Sequence, residues 1–135
     1  AWVVNFVFTR CQGPCPLITS EMAKIQKEFS KASETHFVTI SMDADHDTPE
    51  ILKSFGKKHG ADFSSWHFLT GNSDRIVEIA RTIFKVPADK DPEMHTTRFV
   101  LVDGDGYIRG YYDSLDTESL EKLKKALYFI QKKRT

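Results

Sequence analysis

Cysteine is nearly absent from this chain of 135 residues. There are two, Cys11 and Cys15, and they flank Gln12-Gly13-Pro14. An excess of either charge is absent too. Nineteen Lys and Arg balance nineteen Asp and Glu, and such neutrality argues against nucleic acid or an anionic membrane surface as the main partner. No apolar run approaches the roughly 20 residues that a membrane-spanning helix needs. No signal peptide, low-complexity tract or internal repeat is visible. What remains is an ordinary globular composition, long enough for one well-buried core. The one basic cluster, Lys132-Lys133-Arg134, reads as a solvated helix end favoured by the helix dipole.

The pattern of apolar residues predicts the elements. Trp2 to Phe8 is an apolar run broken only by Asn5, as suits a strand buried on both faces. Leu17, Ile18, Met22, Ile25 and Phe29 recur at helical spacing after Pro16, a residue tolerated at a helix start. Phe37 to Met42 is a second strand and Asp43 to Thr48 a polar loop. Thr48 is placed to cap a helix that opens at Pro49, carries Ile51, Leu52 and Phe55, and ends near Gly60. Trp66 to Leu69 is a short strand. Asn72 or Ser73 caps a helix whose apolar face is Ile76, Ile79, Ala80 and Ile83. After a polar loop from Val86 to Met94, Arg98–Val102 and Tyr107–Tyr112 flank Asp103-Gly104-Asp105-Gly106, a strong hairpin signal. A last helix follows Asp116, with Leu120, Leu123, Leu127 and Ile130 on one face.

The order β-α-β-α-β-α-β-β-α predicts an α/β fold, a three-layer sandwich around a mixed central sheet. It is the thioredoxin-like arrangement, in which a dithiol sits in the loop after a central strand. Residues 1–135 are expected to form a single such domain. The chain opens inside a strand, so a preceding segment, a membrane anchor among the candidates, is expected to lie outside it.

The chemistry is expected at the cysteines. Cys15 falls at a helix N-terminus, where free N–H groups and the dipole favour negative charge and so thiolate formation. Gly13 and Pro14 allow a tight turn that brings both sulfurs to one side. Two thiolates so placed either ligate a soft metal or close a disulfide. Of five histidines, His36 and His59 fall at element ends and are expected on the surface, and His67 beside Trp66 is expected to be structural. His46 lies in the acidic loop, within reach of a metal but better read as exposed. His95 differs, because it directly precedes the strand from Arg98, a junction that faces the dithiol loop in a thioredoxin-like sheet. Thioredoxin-type oxidoreductases place a cis-proline there, whereas this chain reads Met94-His95-Thr96-Thr97-Arg98. Imidazole beside two thiolates makes an N,S,S set, and its softness suits copper; zinc usually takes a fourth ligand.

Asp43-Ala44-Asp45-His46-Asp47 imitates the start of a calcium loop. Thr48 replaces the glycine and Ser54 the glutamate that such a loop requires, so calcium is not expected. Asp43, at a strand end near the cysteines, is placed to support a ligand from behind. Tyr111 and Tyr112 are expected to divide between the solvent and the core.

These residues together resemble the Sco/SenC family of thioredoxin-like copper-binding proteins. The resemblance runs through Val4-Asn5-Phe6-Val7-Phe8-Thr9-Arg10-Cys11 and Cys15-Pro16, then Ser41-Met42-Asp43, Asp47-Thr48-Pro49-Glu50 and Phe68-Leu69-Thr70-Gly71. It closes on His95-Thr96-Thr97-Arg98-Phe99, Asp103-Gly104-Asp105-Gly106 and Ile108-Arg109-Gly110-Tyr111-Tyr112. It implies copper held by Cys11, Cys15 and His95. It also implies an assembly factor that metallates the binuclear copper site of cytochrome c oxidase, or reduces its cysteines. The implied partner is that copper-site subunit or another copper protein. The implied setting is the periplasmic or intermembrane-space face, membrane-anchored at full length, and the soluble form is expected to be a monomer. Two departures stand out. Met94 occupies the place of a frequent acidic residue, which Asp89, Asp91 or Glu93 would have to replace, and the hairpin common before the first strand is missing. The alternative is a thiol–disulfide oxidoreductase with Cys11 and Cys15 as its redox pair. Nothing around Cys11 matches the Pro-x-x-x-Thr-x-x-Cys setting of a thiol peroxidase.

Overall fold

The computed structural model of the chain describes residues 1–10, 15–29, 35–86 and 97–134, with the side chains of 15 and 131–134 outside the described set. Among the described residues nine elements follow in order: β1 Trp2–Val7, α1 Cys15–Phe29, β2 His36–Ser41, α2 Pro49–Lys58, β3 Trp66–Leu69, α3 Ser73–Thr82, β4 Arg98–Val102, β5 Ile108–Asp113 and α4 Thr117–Arg134. The expected element order holds. The sheet runs β3-β2-β1-β4-β5. β1 pairs in parallel with β2, as β2 does with β3, while β4 runs antiparallel to both β1 and β5.

The two-residue period of a strand divides the core. Val3 and Val7 of β1, Phe37 of β2 and Phe99 and Leu101 of β4 face α1 and α4, joining Ile18, Met22, Ile25, Leu123 and Leu127. Val4, Phe6, Val38 and Val100 face the other way, onto Ile76 and Ala80 of α3. Burial on both faces is why β1 reads as a nearly unbroken apolar run. The exception, Asn5, is buried and accepts the Thr39 hydroxyl at 2.6 Å; Thr39 in turn accepts the Trp66 indole N–H at 2.9 Å. This polar chain crosses all three parallel strands.

Side-chain oxygens start the helices as expected. Thr48 accepts the N–H of Ile51, and Asn72 that of Arg75. At the hairpin, Gly106 takes φ +91°, a left-handed conformation that glycine adopts without steric cost. Asp103 Oδ1 accepts the N–H of Asp105 and of Tyr107. Tyr107 therefore belongs to the turn, and β5 begins one residue later than expected.

Five expectations are corrected. Leu17 is 55% exposed, because it sits beside, not on, the α1 stripe of Ile18, Met22, Ile25 and Phe29. Ile83 is 59% exposed. α3 ends at Thr82, and Phe84 turns inward instead, its ring edge-on to Phe6 at 5.6 Å. His36 is not a free surface residue. It is half-buried as the first residue of β2, and its ring stacks on Trp2 at 4.7 Å. His59 is likewise half-buried, against Phe55 at 4.6 Å. His67, expected to be structural, is exposed, with its ring 6.1 Å from that of His36. The tyrosines divide as expected: Tyr112 packs on the α1/α4 core and Tyr111 is exposed.

Candidate metal centre

Cys11 and His95 lie outside the described residues, as do Gly13, Pro14, Met94, Asp89, Asp91 and Glu93. Cys15 is the first residue of α1. What the structure describes is the framework from which these residues depart. β1 ends at Val7, four residues before Cys11, and β4 begins at Arg98, three after His95. Since β1 and β4 are antiparallel (Trp2 opposite Val102, Val4 opposite Val100), the end of β1 and the start of β4 lie at the same end of the sheet. The β2 carboxyl end lies there too, since β1 and β2 are parallel with Val7 opposite Ser41. Ligands of open α/β sheets bind at this end. The first turn of α1 has no acidic residue to offset the positive end of its dipole.

Polar contacts hold both departing segments. Past β1, the Thr9 N–H donates to Asp47 Oδ2 at 3.0 Å and the Thr9 hydroxyl donates to Asp47 Oδ1. Ser41 at the end of β2 donates to Asp47 Oδ2 at 2.7 Å and accepts the N–H of Asp43 at 3.1 Å. His46 Nδ1 stands 2.9 Å from Asp47 Oδ1; a carboxylate only accepts, so this nitrogen carries the proton. Arg10 pairs with Asp43 through Nε and Nη2, each 2.8 Å from Oδ2. Asp47 is completely buried. Burial opposes its charge, yet the hydrogen bonds from Thr9, His46 and Ser41 outweigh burial and hold its carboxyl below the usual value. On the β4 side, the N–H and hydroxyl of buried Ser114 both donate to the carbonyl of Thr97, two residues after His95.

Asp43, His46 and Asp47 have ligand atoms within 4.8 Å of one another. Those atoms are committed to Thr9, Arg10 and Ser41, so the cluster is a clasp on the chain before Cys11. Asp43 pairs with Arg10, the residue that precedes Cys11 in sequence. Sequence spacing gives no sign that Thr9 and Asp47 meet, although both stand in the stretches that carry the family resemblance. A cavity of about 500 Å³ lined by Leu101, Asp103, Arg109, Tyr112 and Phe129 lies at the opposite end of the sheet, between the hairpin and α4.

Fold and framework define a thioredoxin-like α/β protein in which the end of β1, toward Cys11, and the start of β4, toward His95, lie at one end of the sheet. The sequence profile of SCO1/SenC matches residues 1–128, and the chain belongs to that family. The SCO1 protein homolog of Bacillus subtilis (strain 168) is 32% identical over 121 residues, covering 85% of this chain and 63% of that protein. The chain thus spans less than two thirds of that relative's length. Among solved structures, a SCO1/SenC family lipoprotein from Bacillus anthracis str. Ames shares 34% identity at a TM-score of 0.88, over 96% of this chain and 80% of that one. BsSco, a Sco family member in which a disulfide switch was identified, shares 28% at 0.84, over 97% and 80%. The Sco family is one of cytochrome c oxidase assembly proteins. Bradyrhizobium japonicum ScoI with copper bound shares the fold, at 22% identity and a TM-score of 0.69 over 92% and 83%.

Proposed function

We propose that this chain is a single-domain copper-binding assembly factor, which carries copper as cargo on Cys11, Cys15 and His95 and helps metallate the binuclear copper site of cytochrome c oxidase. The observation that carries the reading is the antiparallel pairing of β1 with β4, which sends the cysteine-bearing and histidine-bearing segments off the same end of the sheet. The donor set fits copper: two soft thiolates and a borderline imidazole, with Cys15 at an α1 N-terminus that favours the anionic ligand. Charge supports it as well. Two thiolates and a neutral imidazole sum to −2, which Cu(I) reduces to −1 and Cu(II) to 0, lowering the cost of burying the site. The copper-bound ScoI neighbour and the assembly role of the Sco family support the cargo and the client.

The same two sulfurs give the site its switch. Joined as a Cys11–Cys15 disulfide they bind no metal, and reduced they do, in line with the disulfide switch of BsSco. We assign the protein to the periplasmic or intermembrane-space face, as a monomer held at the membrane at full length, a reading the lipoprotein relative supports. No helix among the described residues is long and apolar enough to cross a membrane. The test is a Cu(I) titration of the reduced chain against its His95→Ala variant. Three-ligand binding requires a marked loss of affinity in the variant, and unchanged affinity would overturn it.

A further inference from the structure

We propose that Asp47 is a positioning residue for Cys11, acting through Thr9: its carboxylate fixes the chain just before the first cysteine and thereby sets the geometry at which the two sulfurs meet a metal or each other. The inference rests on the reading of Cys11 and Cys15 as the functional pair. β1 ends at Val7, whose carbonyl accepts the N–H of Met42 at 2.9 Å. Beyond that point the Thr9 N–H goes to Asp47, not to a strand, and Arg10 is held by Asp43. The two residues that lead into Cys11 are thus gripped from the β2–α2 loop, 38 and 33 positions away in sequence.

The grip is stiff on both sides. Asp47 immediately precedes Thr48, the cap of α2, and Ser41 ties its carboxylate to the end of β2. A helix start and a strand end therefore fix where the carboxylate stands, and the carboxylate fixes Thr9 through two hydrogen bonds. The choice of aspartate follows from donor counting. The N–H of Thr9, the hydroxyls of Thr9 and Ser41 and the Nδ1–H of His46 converge on two oxygens. A carboxylate accepts from all four, whereas an amide would set its own N–H₂ against donors. Burying a charge completely costs free energy that only such saturation offsets. The core on both faces of the sheet already holds β1 through its apolar side chains, so this polar device serves the segment beyond the strand.

Three variants test it: Thr9→Val, which keeps the branched shape but removes the hydroxyl donor, Thr9→Ser, which restores it, and Asp47→Asn. Each is read in two ways. One is Cu(I) affinity, by competition with a chromophoric chelator. The other is the midpoint potential of the Cys11–Cys15 couple in metal-free protein equilibrated with glutathione and glutathione disulfide. Thr9→Val should weaken Cu(I) binding about tenfold or more, the range for residues that orient a metal ligand, and should shift the midpoint potential. Thr9→Ser should keep both near wild type. A Thr9→Val protein with a lowered melting temperature but wild-type affinity and potential would overturn the proposal, since the clasp would then only stabilise the fold. Should Asp47→Asn fail to fold, the threonine pair decides alone. Should copper affinity prove indifferent to His95→Ala and to the cysteines, the ligand set fails but the metal-free potential still decides this proposal.

Discussion

Replacing Thr39 by Val should destabilise the protein far more than its small change in shape suggests. Thr39 is fully buried at the centre of the chain Trp66–Thr39–Asn5, donating to Asn5 Oδ1 at 2.6 Å and accepting from Trp66 Nε1 at 2.9 Å. Valine fills the volume and does neither. Two buried polar groups lose their partners, each at a cost of about 1–3 kcal/mol, against about 1 kcal/mol regained by burying a methyl in place of a hydroxyl. Asn5 makes the loss worse, because its Nδ2 already lacks a partner and the side chain would be left without any. The net expectation is a loss of about 3 kcal/mol. Thr39→Ser, which keeps the hydroxyl and removes one methyl, should cost about 1 kcal/mol. Urea unfolding of reduced, metal-free protein separates the two: the midpoint should fall much further for Val, with the slope unchanged. If Val proves no worse than Ser, the reasoning that the chain's hydrogen bonds secure the three parallel strands is refuted.

Acid should unfold the protein in part through Asp47. Its pKa is held below the unfolded value of 3.8, so its contribution is fully present above that value and is lost as pH falls through the lower, folded one. Thermal midpoints measured from neutral pH downward should drop more steeply in wild type than in Asp47→Asn over that window. His59, whose pKa is lowered from 6.5 by burial and the neighbouring Lys58, adds acid sensitivity just below pH 6.5, where the unfolded chain takes up the proton more readily. Leu17→Ser and Ile83→Ser should each change stability by no more than about 0.5 kcal/mol, because both side chains are exposed; a core-sized loss at either would restore the apolar faces expected from spacing. Copper affinity should itself fall toward low pH, as protons compete for sulfur and imidazole.

Much of this was readable from residues whose chemistry is local. Thr48 and Asn72 cap helices because a side-chain oxygen reaches an N–H three positions on, and Gly106 marks its turn by its own backbone freedom. The β1 run announced burial on both faces. Spacing failed where neighbours decide: Leu17 and Ile83 fit a helical period, but which side of a helix meets the sheet, and where α3 stops, depend on Phe84 and the strands. His36 ended an element in sequence yet began a strand beside Trp2 in space. The Thr9–Asp47 clasp was hidden for the same reason, since its partners stand 38 positions apart and meet only once β1 and β2 pair. The candidate ligands themselves were legible through residue type and resemblance, and their convergence is the point to be tested.

X-ray absorption at the copper edge of the Cu(II)-loaded chain tests that convergence directly. Binding by Cys11, Cys15 and His95 predicts two sulfur scatterers and an imidazole nitrogen, with the imidazole signal lost in His95→Ala. A spectrum without sulfur, or one that His95→Ala leaves unchanged, would contradict the proposed centre.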